Sequence, residues 1–246
     1  MYRINNGLTE WSLDNNAFIR EFVEKSALYG INPARVTFYS QQDEDKYIIQ
    51  YLLKDRIYDG TYLEIGACDG KLYSNTLTLE KNFGFKGILI EPQKEYFRGL
   101  ENNRSRENNE LYNCAVTNSD METITFTGDN AEGGVLSSIN TNLENRNWGT
   151  YEVPNKRMSE ILENSKYDYI DFMIIDVEGS ELSLLESIDF KYPIYCIIIE
   201  AHSGEQEKNK KFGEHLKANG FTYKERQRGN EGWINKSYYR SHLFGA

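Results

Sequence analysis

The stretch YLEIGACDG, residues 62–70, decides the fold because a short apolar strand runs directly into a loop with two glycines. Residues 74–83 follow with apolar side chains at helical spacing and stop before Gly84. A strand, a loop and a helix in this order are the repeating unit of a parallel sheet, whose ligands bind beyond the carboxyl ends of the strands. The loop at residues 66–70 is therefore the first candidate binding site.

The same alternation of strands and helices extends outward from this unit. Strands are predicted at 61–66, 87–91, 111–116, 170–176, 194–200, 221–227 and 237–242. Helices are predicted at 17–30 and 39–53, at 74–83, around Tyr96 and Leu100, from Leu182 to Ile188, and around Phe212 and Leu216. The pattern indicates an α/β fold in which a mostly parallel seven-stranded sheet carries helices on both faces. We predict one domain over 1–246, with an N-terminal helical extension at 1–36.

Composition and charge narrow the class of protein. The chain has 246 residues, of which 39% are hydrophobic, so it can bury a sizeable core. Its net charge of −10 makes nucleic acid a disfavoured partner. The apolar run at 192–199 is too short to span a membrane, and residues 1–16 lack the apolar stretch of a signal peptide. Three isolated cysteines argue against disulfides and zinc and favour a cytoplasmic location.

The spacing of the glycine loop selects among cofactors. Cys68 and Lys71 stand two and five positions beyond Gly66, so the dinucleotide fingerprint G-x-G-x-x-G is absent. Acidic residues at 64 and 69 suit a cationic ligand with an amino acid moiety better than a phosphate. Glu91 closes the next strand, where a carboxylate can accept from both hydroxyls of a ribose. Together these features predict a site for S-adenosylmethionine, against the alternative of a tight turn and a solvated strand end.

A second constellation lies in DVEGSE, residues 176–181, and at the end of the following strand. Asp176 or His202 could accept the proton of a hydroxyl nucleophile, with Glu178 beside them. Asp176, Glu178, Glu200 and His202 also form a set of hard-cation ligands, although no spacing demands a divalent metal. The alternatives are that Glu178 and Glu181 favour the positive end of the next helix and that His202 is structural.

The interval 118–155 interrupts the alternation. It contains METITFT (121–127), a glycine pair at 133–134 and a polar stretch, which predict a strand and a long inserted loop rather than a crossover helix. A loop of this length beside the carboxyl edge of the sheet is a candidate acceptor lid. Side chains expected there to contact an acceptor are Asn130, Ser137, Asn140, Trp148 and Tyr151.

The chain resembles the FkbM family of S-adenosylmethionine-dependent methyltransferases from about residue 39 to residue 202. The matching segments are YSQQDED (39–45), EIGACDG (64–70), SNTLTLE (74–80), GILIEP (87–92), NNR (102–104), NCAV (113–116), DFMIIDVEGSELSLL (171–185) and IIIEAH (197–202). The resemblance implies a class I methyltransferase fold of the Rossmann-like type. It also implies that the loop at 66–70 holds the methionine part of the cofactor, Glu91 the ribose, and Cys114 and Ala115 the adenine.

The combined prediction is a methyltransferase that acts on a hydroxyl of a sugar or glycan, the acceptor being what the resemblance implies. The predicted cofactor-binding residues are Glu64, Gly66, Ala67, Asp69, Gly70, Ser74, Asn75, Thr76, Glu91, Pro92, Cys114, Ala115 and Asp176. The alternatives are a non-sugar hydroxyl or amine acceptor and a catalytically silent cofactor-binding module. The metal requirement and the oligomeric state stay open.

Overall fold

A computed structural model describes residues 30–32, 35–41, 43–52, 59–129, 132–135, 149–201, 204–227 and 229–239. The chain divides into two compact units. The helical unit comprises Met1–Gly60, Lys71–Lys86 and Arg240–Ala246, and the sheet unit comprises Thr61–Gly70 and Gly87–Tyr239. The predicted helix at 17–30 lies outside the described residues except for Gly30, a turn residue, as do His202 and Trp148 in full.

The helical unit contains α1 (Glu44–Leu52) and α2 (Leu77–Phe83). The buried carboxylate of Asp45 joins these helices, because it accepts from Ser40 Oγ at 2.6 Å and from Thr78 Oγ1 at 2.6 Å. Helix α2 ends where the sequence predicts, since Gly84 adopts a left-handed conformation with φ of 70° and its N–H donates to the Leu79 carbonyl.

The sheet unit is built on a seven-stranded main sheet with the order β10-β11-β9-β8-β1-β2-β3. Its strands are β1 (Thr61–Ile65), β2 (Lys86–Ile90), β3 (Asn109–Tyr112), β8 (Ile170–Ile175), β9 (Ile194–Glu200), β10 (Thr222–Gln227) and β11 (Asn230–Ile234). Pairing is parallel at β1–β8, β8–β9 and β2–β3, whereas β11 runs antiparallel to both neighbours. The predicted mostly parallel, seven-stranded class I fold is confirmed.

The main sheet forms the centre of the larger core. Every residue of β8 is buried, as are Tyr62 to Ile65 of β1. Because successive strand residues point to opposite faces, this burial requires cover on both faces of the sheet. Helix α2 lies between β1 and β2 in the chain, and the helices of the sheet unit are α3 (Lys94–Asn103), α4 (Met158–Glu163), α5 (Glu181–Glu186) and α6 (Gln206–Ala218). No helix of the described residues has the length and apolarity needed to cross a membrane.

The strand predicted at METITFT (121–127) corresponds to a strand at Thr123–Asp129, whereas the long loop predicted for the rest of 118–155 is wrong for most of the other residues described there. They form a second sheet with the order β4-β7-β5-β6. Its strands are β4 (Ala115–Val116), β5 (Thr123–Asp129), β6 (Glu132–Val135) and β7 (Thr150–Lys156). Antiparallel pairing of β5 with β7 joins segments far apart in sequence, and Phe126, Val135 and Val153 pack with Ala115 in a small separate core. This non-local pairing leaves no signal in a short sequence window.

Three further boundaries differ from the prediction. The strand expected at 111–116 divides into β3 and β4, which belong to different sheets, so the chain leaves the main sheet at Asn113. Helix α4 is absent from the prediction, although its Met158, Ile161 and Leu162 are buried at helical spacing. Among the residues that the structure describes, the last strand is β11. The strand predicted at 237–242 is wrong over 237–239, because the Asn235 side chain accepts from the Ser237 N–H and starts a 3₁₀ helix at Lys236–Tyr238.

Candidate functional site

The glycine loop at 66–70 leaves β1 at the edge where the parallel strands end. Gly66 has a φ of 85°, and its N–H and that of Ala67 each donate to the Ile90 carbonyl at 3.0 Å. A Cβ on Gly66 would lie 2.2 Å from the carbonyl oxygen of Asp176. The neighbouring strand end therefore requires glycine at this position, and the loop lies directly beside the ends of β2 and β8.

Glu91 follows β2 and is only 4% exposed, so the alternative of a solvated strand end is wrong. Its Oε2 accepts from the N–H of Cys68 at 2.9 Å, and its Oε1 accepts from the N–H of Gln93 at 2.7 Å. Burial raises the pKa of Glu91 to about 7 against the lowering effect of these two hydrogen bonds. Glu91 is thus hydrogen-bonded directly to the glycine loop at Cys68.

Asn113 links Glu91 to the predicted adenine residues, a role that was not predicted for it although it begins the motif NCAV. Its Nδ2 donates to the Glu91 carbonyl at 2.8 Å and to the Pro92 carbonyl at 3.0 Å. The chain then enters Cys114 and Ala115, both buried. Burial raises the pKa of the Cys114 thiol to about 12, so this group stays neutral and is no nucleophile. The structure thus brings Asn113, which directly precedes Cys114 and Ala115, to the backbone of residues 91–92.

The far end of the loop is held by Asn103 and Arg104 at the carboxyl end of α3, which stand in the motif NNR but were not predicted to contact the loop. The buried Arg104 donates from Nη1 to the Gly70 carbonyl at 3.1 Å and from Nη2 to the Tyr62 hydroxyl at 2.6 Å. Asn103 Nδ2 donates to the Asp69 carbonyl at 2.9 Å. These donors orient the loop backbone. Arg104 is consequently a structural residue of the loop.

The remaining predicted cofactor residues lie in two places. Glu64 is buried within β1, opposite Ile174 of β8. Ser74, Asn75 and Thr76 belong to the helical unit, where all three are buried. Ser74 Oγ accepts from the N–H of Leu77 at 3.1 Å, so it contributes to the start of α2.

A cluster of three carboxylates forms where β8 and β9 end. Oxygen atoms of Asp176, Glu178 and Glu200 all lie within 4.8 Å of one another. The neighbouring parallel strands bring Asp176 and Glu200 to the same edge, and the turn at Glu178, with a φ of 50°, returns its side chain to them. The predicted set of hard-cation ligands is thus brought together except for His202, which lies outside the described residues.

The cluster holds its negative charges close together. Desolvation and the like charges of Glu200 and Glu178 raise the pKa of Asp176 well above its usual range. Asp176 is exposed, so we attribute the shift chiefly to the like charges. Such an arrangement favours binding of a proton or another cation, and its exposure makes it reachable from solvent.

Glu181 stands apart from this cluster as a structural residue. It is fully buried, its Oε1 accepts from the N–H of Gly179 at 2.9 Å, and it forms an ion pair with Lys208 of α6. Lys208 Nζ also lies 3.0 Å from Glu205 Oε2. Burial would lower the pKa of Lys208, but the two carboxylates raise it. The ion pair therefore anchors the turn that carries Glu178.

About two thirds of the sequence matches a known protein family. Residues 64–225 match the family described as the methyltransferase FkbM domain. This segment contains the end of β1, the glycine loop, Glu91, the acid cluster and most of the main sheet. No curated protein matches the chain.

Solved structures of methyltransferases are similar to the chain at low sequence identity. Precorrin-6y C5,15-methyltransferase from Geobacter metallireducens GS-15 is 12% identical with a TM-score of 0.45, over 81% of this chain and 89% of that one. Methyltransferase FkbM from Methylobacillus flagellatus KT is 13% identical with a TM-score of 0.45, over 91% of this chain. The match spans 60% of that longer FkbM chain. A methyltransferase from Pyrococcus furiosus is 16% identical with a TM-score of 0.41, over 90% and 96% of the two chains.

Proposed function

The chain belongs to the FkbM methyltransferase domain family, and from that premise we propose that it transfers the methyl group of S-adenosylmethionine to a hydroxyl of a sugar or glycan. The observation that supports this most directly is Glu91, buried at the end of β2 and hydrogen-bonded to the glycine loop at Cys68. A binding site for a ribose diol needs a fixed acceptor at this point of the sheet.

The residues present fit the cofactor. Each oxygen of Glu91 accepts one backbone N–H and keeps a further lone pair, so the carboxylate can still accept from two ribose hydroxyls. Asn113 holds the backbone of the Glu91–Pro92 turn, and Cys114 and Ala115 offer an apolar surface for adenine. When bound, S-adenosylmethionine supplies a methyl group activated by a positively charged sulfur.

The acid cluster supports the chemical step. Asp176 is exposed at the carboxyl edge of the main sheet, and its raised pKa makes it a better proton acceptor than an ordinary carboxylate. Its role in the proposal is to accept the proton that the acceptor hydroxyl loses. Glu178 and Glu200 keep the local charge negative, which favours the cationic cofactor nearby. His202 stays a predicted alternative proton acceptor.

A divalent metal is a second use of the same cluster. Three carboxylate oxygens within 4.8 Å match the chemistry of a hard cation, so Asp176, Glu178 and Glu200 would hold such an ion. A metal there would lower the pKa of a sugar hydroxyl and leave Asp176 less free to accept a proton. Loss of turnover in a chelator, with recovery on adding Mg²⁺ or Mn²⁺, would favour the metal.

The proposal is tested in two steps. Calorimetry with S-adenosylhomocysteine first measures cofactor binding by the wild type and by Glu91→Ala, with the exposed Glu101→Ala as a matched control. Transfer from labelled S-adenosylmethionine to neutral and acidic glycans, small phenols and amines then measures turnover. Binding without transfer to any acceptor would favour the silent module, transfer only to phenols or amines would exclude the sugar, and absence of binding would overturn the proposal.

A cytoplasmic location is part of the same proposal. All three cysteines, Cys68, Cys114 and Cys196, are buried free thiols, which suits a reducing compartment.

A further inference from the structure

A pocket of about 590 Å³ lies between α3 and the second sheet. We name it the α3 pocket; its wall includes Gln93, Lys94, Glu95 and Arg98 at the start of α3, and Gly128 and Tyr151 of the second sheet. Its volume is within the usual range for a small-molecule site. Its wall combines charged and aromatic side chains, so it suits a polar ligand with a ring.

The α3 pocket lies next to the proposed ribose site. The hydroxyl of Tyr151 donates to Gln93 Oε1 at 3.3 Å, and the N–H of Gln93 donates to Glu91 Oε1 at 2.7 Å. Burial and the nearby charge of Glu91 raise the pKa of Tyr151 to about 12, which agrees with this proximity. A molecule in the pocket is therefore separated from the cofactor site by a single turn of chain.

Lys94 and Arg98 give the pocket its positive charge. They stand four residues apart on α3, so they lie on the same side of the helix. Neither forms an ion pair with a carboxylate among the residues that the structure describes. With Glu95 the pocket carries one net positive charge, in a chain whose net charge is −10.

Tyr151 supplies a flat apolar surface. Its ring packs against Phe126 with the ring centroids 5.8 Å apart, which fixes its orientation, and the residue remains 38% exposed. Gly128 has no side chain and leaves space beside it. An exposed aromatic ring of fixed orientation is suited to stack on the apolar face of a sugar.

We propose that the α3 pocket binds a part of the acceptor that is not itself methylated, and that this part is a sugar carrying an anionic group, a carboxylate or a phosphate. Lys94 and Arg98 pair with the anionic group, Tyr151 stacks on the ring, and Glu95 accepts from ring hydroxyls. This inference rests on the proposed function and narrows its acceptor from any sugar hydroxyl to acidic sugars.

The test measures binding separately from turnover. Glucuronic acid, glucose 6-phosphate and glucose are titrated, by ligand-observed NMR, into the full-length protein saturated with S-adenosylhomocysteine. We expect one of the two acidic sugars to bind at least about tenfold more tightly than glucose, and the preferred one identifies the anionic group. Its affinity should fall as salt is added, because the charged pair is exposed.

Variants locate the site. Lys94→Gln and Arg98→Gln should each weaken binding of the acidic sugar about tenfold, and Tyr151→Leu should weaken acidic and neutral sugars alike. Lys210→Gln removes one exposed charge from α6 and should change nothing. Equal binding of all three sugars, unaltered binding by the variants, or competition with S-adenosylhomocysteine would each overturn this inference. Because S-adenosylhomocysteine binding is measured first, failure of the proposed function is recognised separately.

Discussion

Glu91 and Asp176 both directly follow strands of the main sheet, yet the protein holds these two carboxylates in opposite ways. Glu91 is buried and accepts backbone N–H donors from Cys68 and Gln93. Asp176 is exposed and faces two further carboxylates. A carboxylate that is already fixed by donors suits binding of a ligand in one geometry, whereas a carboxylate crowded by like charges has a strong affinity for a proton or a cation. In the function proposed above, Glu91 therefore serves cofactor binding and Asp176 serves the chemical step.

The largest effect should come from Asp176→Asn, which keeps the size of the side chain and removes its charge. If Asp176 accepts the proton, turnover falls by about 10²–10⁴ while affinity for S-adenosylhomocysteine changes little. Steady-state kinetics and calorimetry on one preparation measure both quantities. Asp189→Asn at an exposed loop position is the matched control. A loss below tenfold would remove Asp176 from the chemical step, and His202→Gln then tests the alternative acceptor.

Glu91→Ala should give the reverse pattern. It removes an acceptor of two charge-assisted hydrogen bonds, each worth about 1.5–3 kcal/mol before solvent compensates, so cofactor affinity should fall by about a hundredfold. Turnover at saturating cofactor should change much less. Calorimetry checks the affinity, and circular dichroism checks that the variant is folded. Wild-type cofactor affinity in a folded variant would contradict the proposed contrast between Glu91 and Asp176, because Glu91 would then have no part in binding.

Removing the ion pair of Glu181 with Lys208 should disturb the cluster of Asp176, Glu178 and Glu200 without affecting Glu91. Lys208→Met leaves the buried Glu181 without its cation, and since Lys208 keeps 23% of its side chain exposed, we expect a loss of about 2 kcal/mol in the free energy of unfolding. Turnover should fall through the displaced Glu178 turn, with cofactor affinity unchanged. Lys208→Arg should restore both. Urea denaturation measures the stability, and unchanged turnover in Lys208→Met would show that this ion pair does not position the acid cluster.

The smallest expected effect is the dependence of cofactor affinity on pH. Because the pKa of Glu91 is raised to about 7, half of the free protein carries a neutral Glu91 at that pH. Ribose hydroxyls donate to the ionised form, so cofactor affinity should be constant above about pH 8 and about tenfold weaker at pH 6. Cofactor affinity should fall as the pH is lowered through 7, because the Glu91 carboxylate, which accepts the hydrogen bonds, then becomes protonated. Calorimetry at pH 6, 7 and 8 checks this, and Glu91→Ala should give a flat profile.

The local parts of the fold were predictable from the sequence. The strand, loop and helix predicted at 61–83 are confirmed, with α2 starting three residues later than predicted, since β1 and α2 each show the periodicity of their own element and Gly84 ends the helix. The acids at 91, 176 and 200 were found because they follow parallel strands, whose ends meet at one edge. The second sheet was not predictable, because the strand β5 pairs with β7, which lies more than twenty residues away in the sequence.

By itself the sequence determined which residues end the strands, and therefore that Glu91, Asp176 and Glu200 would reach the same edge of one sheet. Only the tertiary structure decided how each is held: Cys68 and Gln93 turn their N–H groups to Glu91, and Lys208 pairs with Glu181 beneath the Glu178 turn. The physical reason is the distance along the sequence over which each property is decided. Strand periodicity is a property of neighbouring residues, whereas hydrogen bonding, burial and like-charge crowding depend on groups that meet only when distant segments fold together.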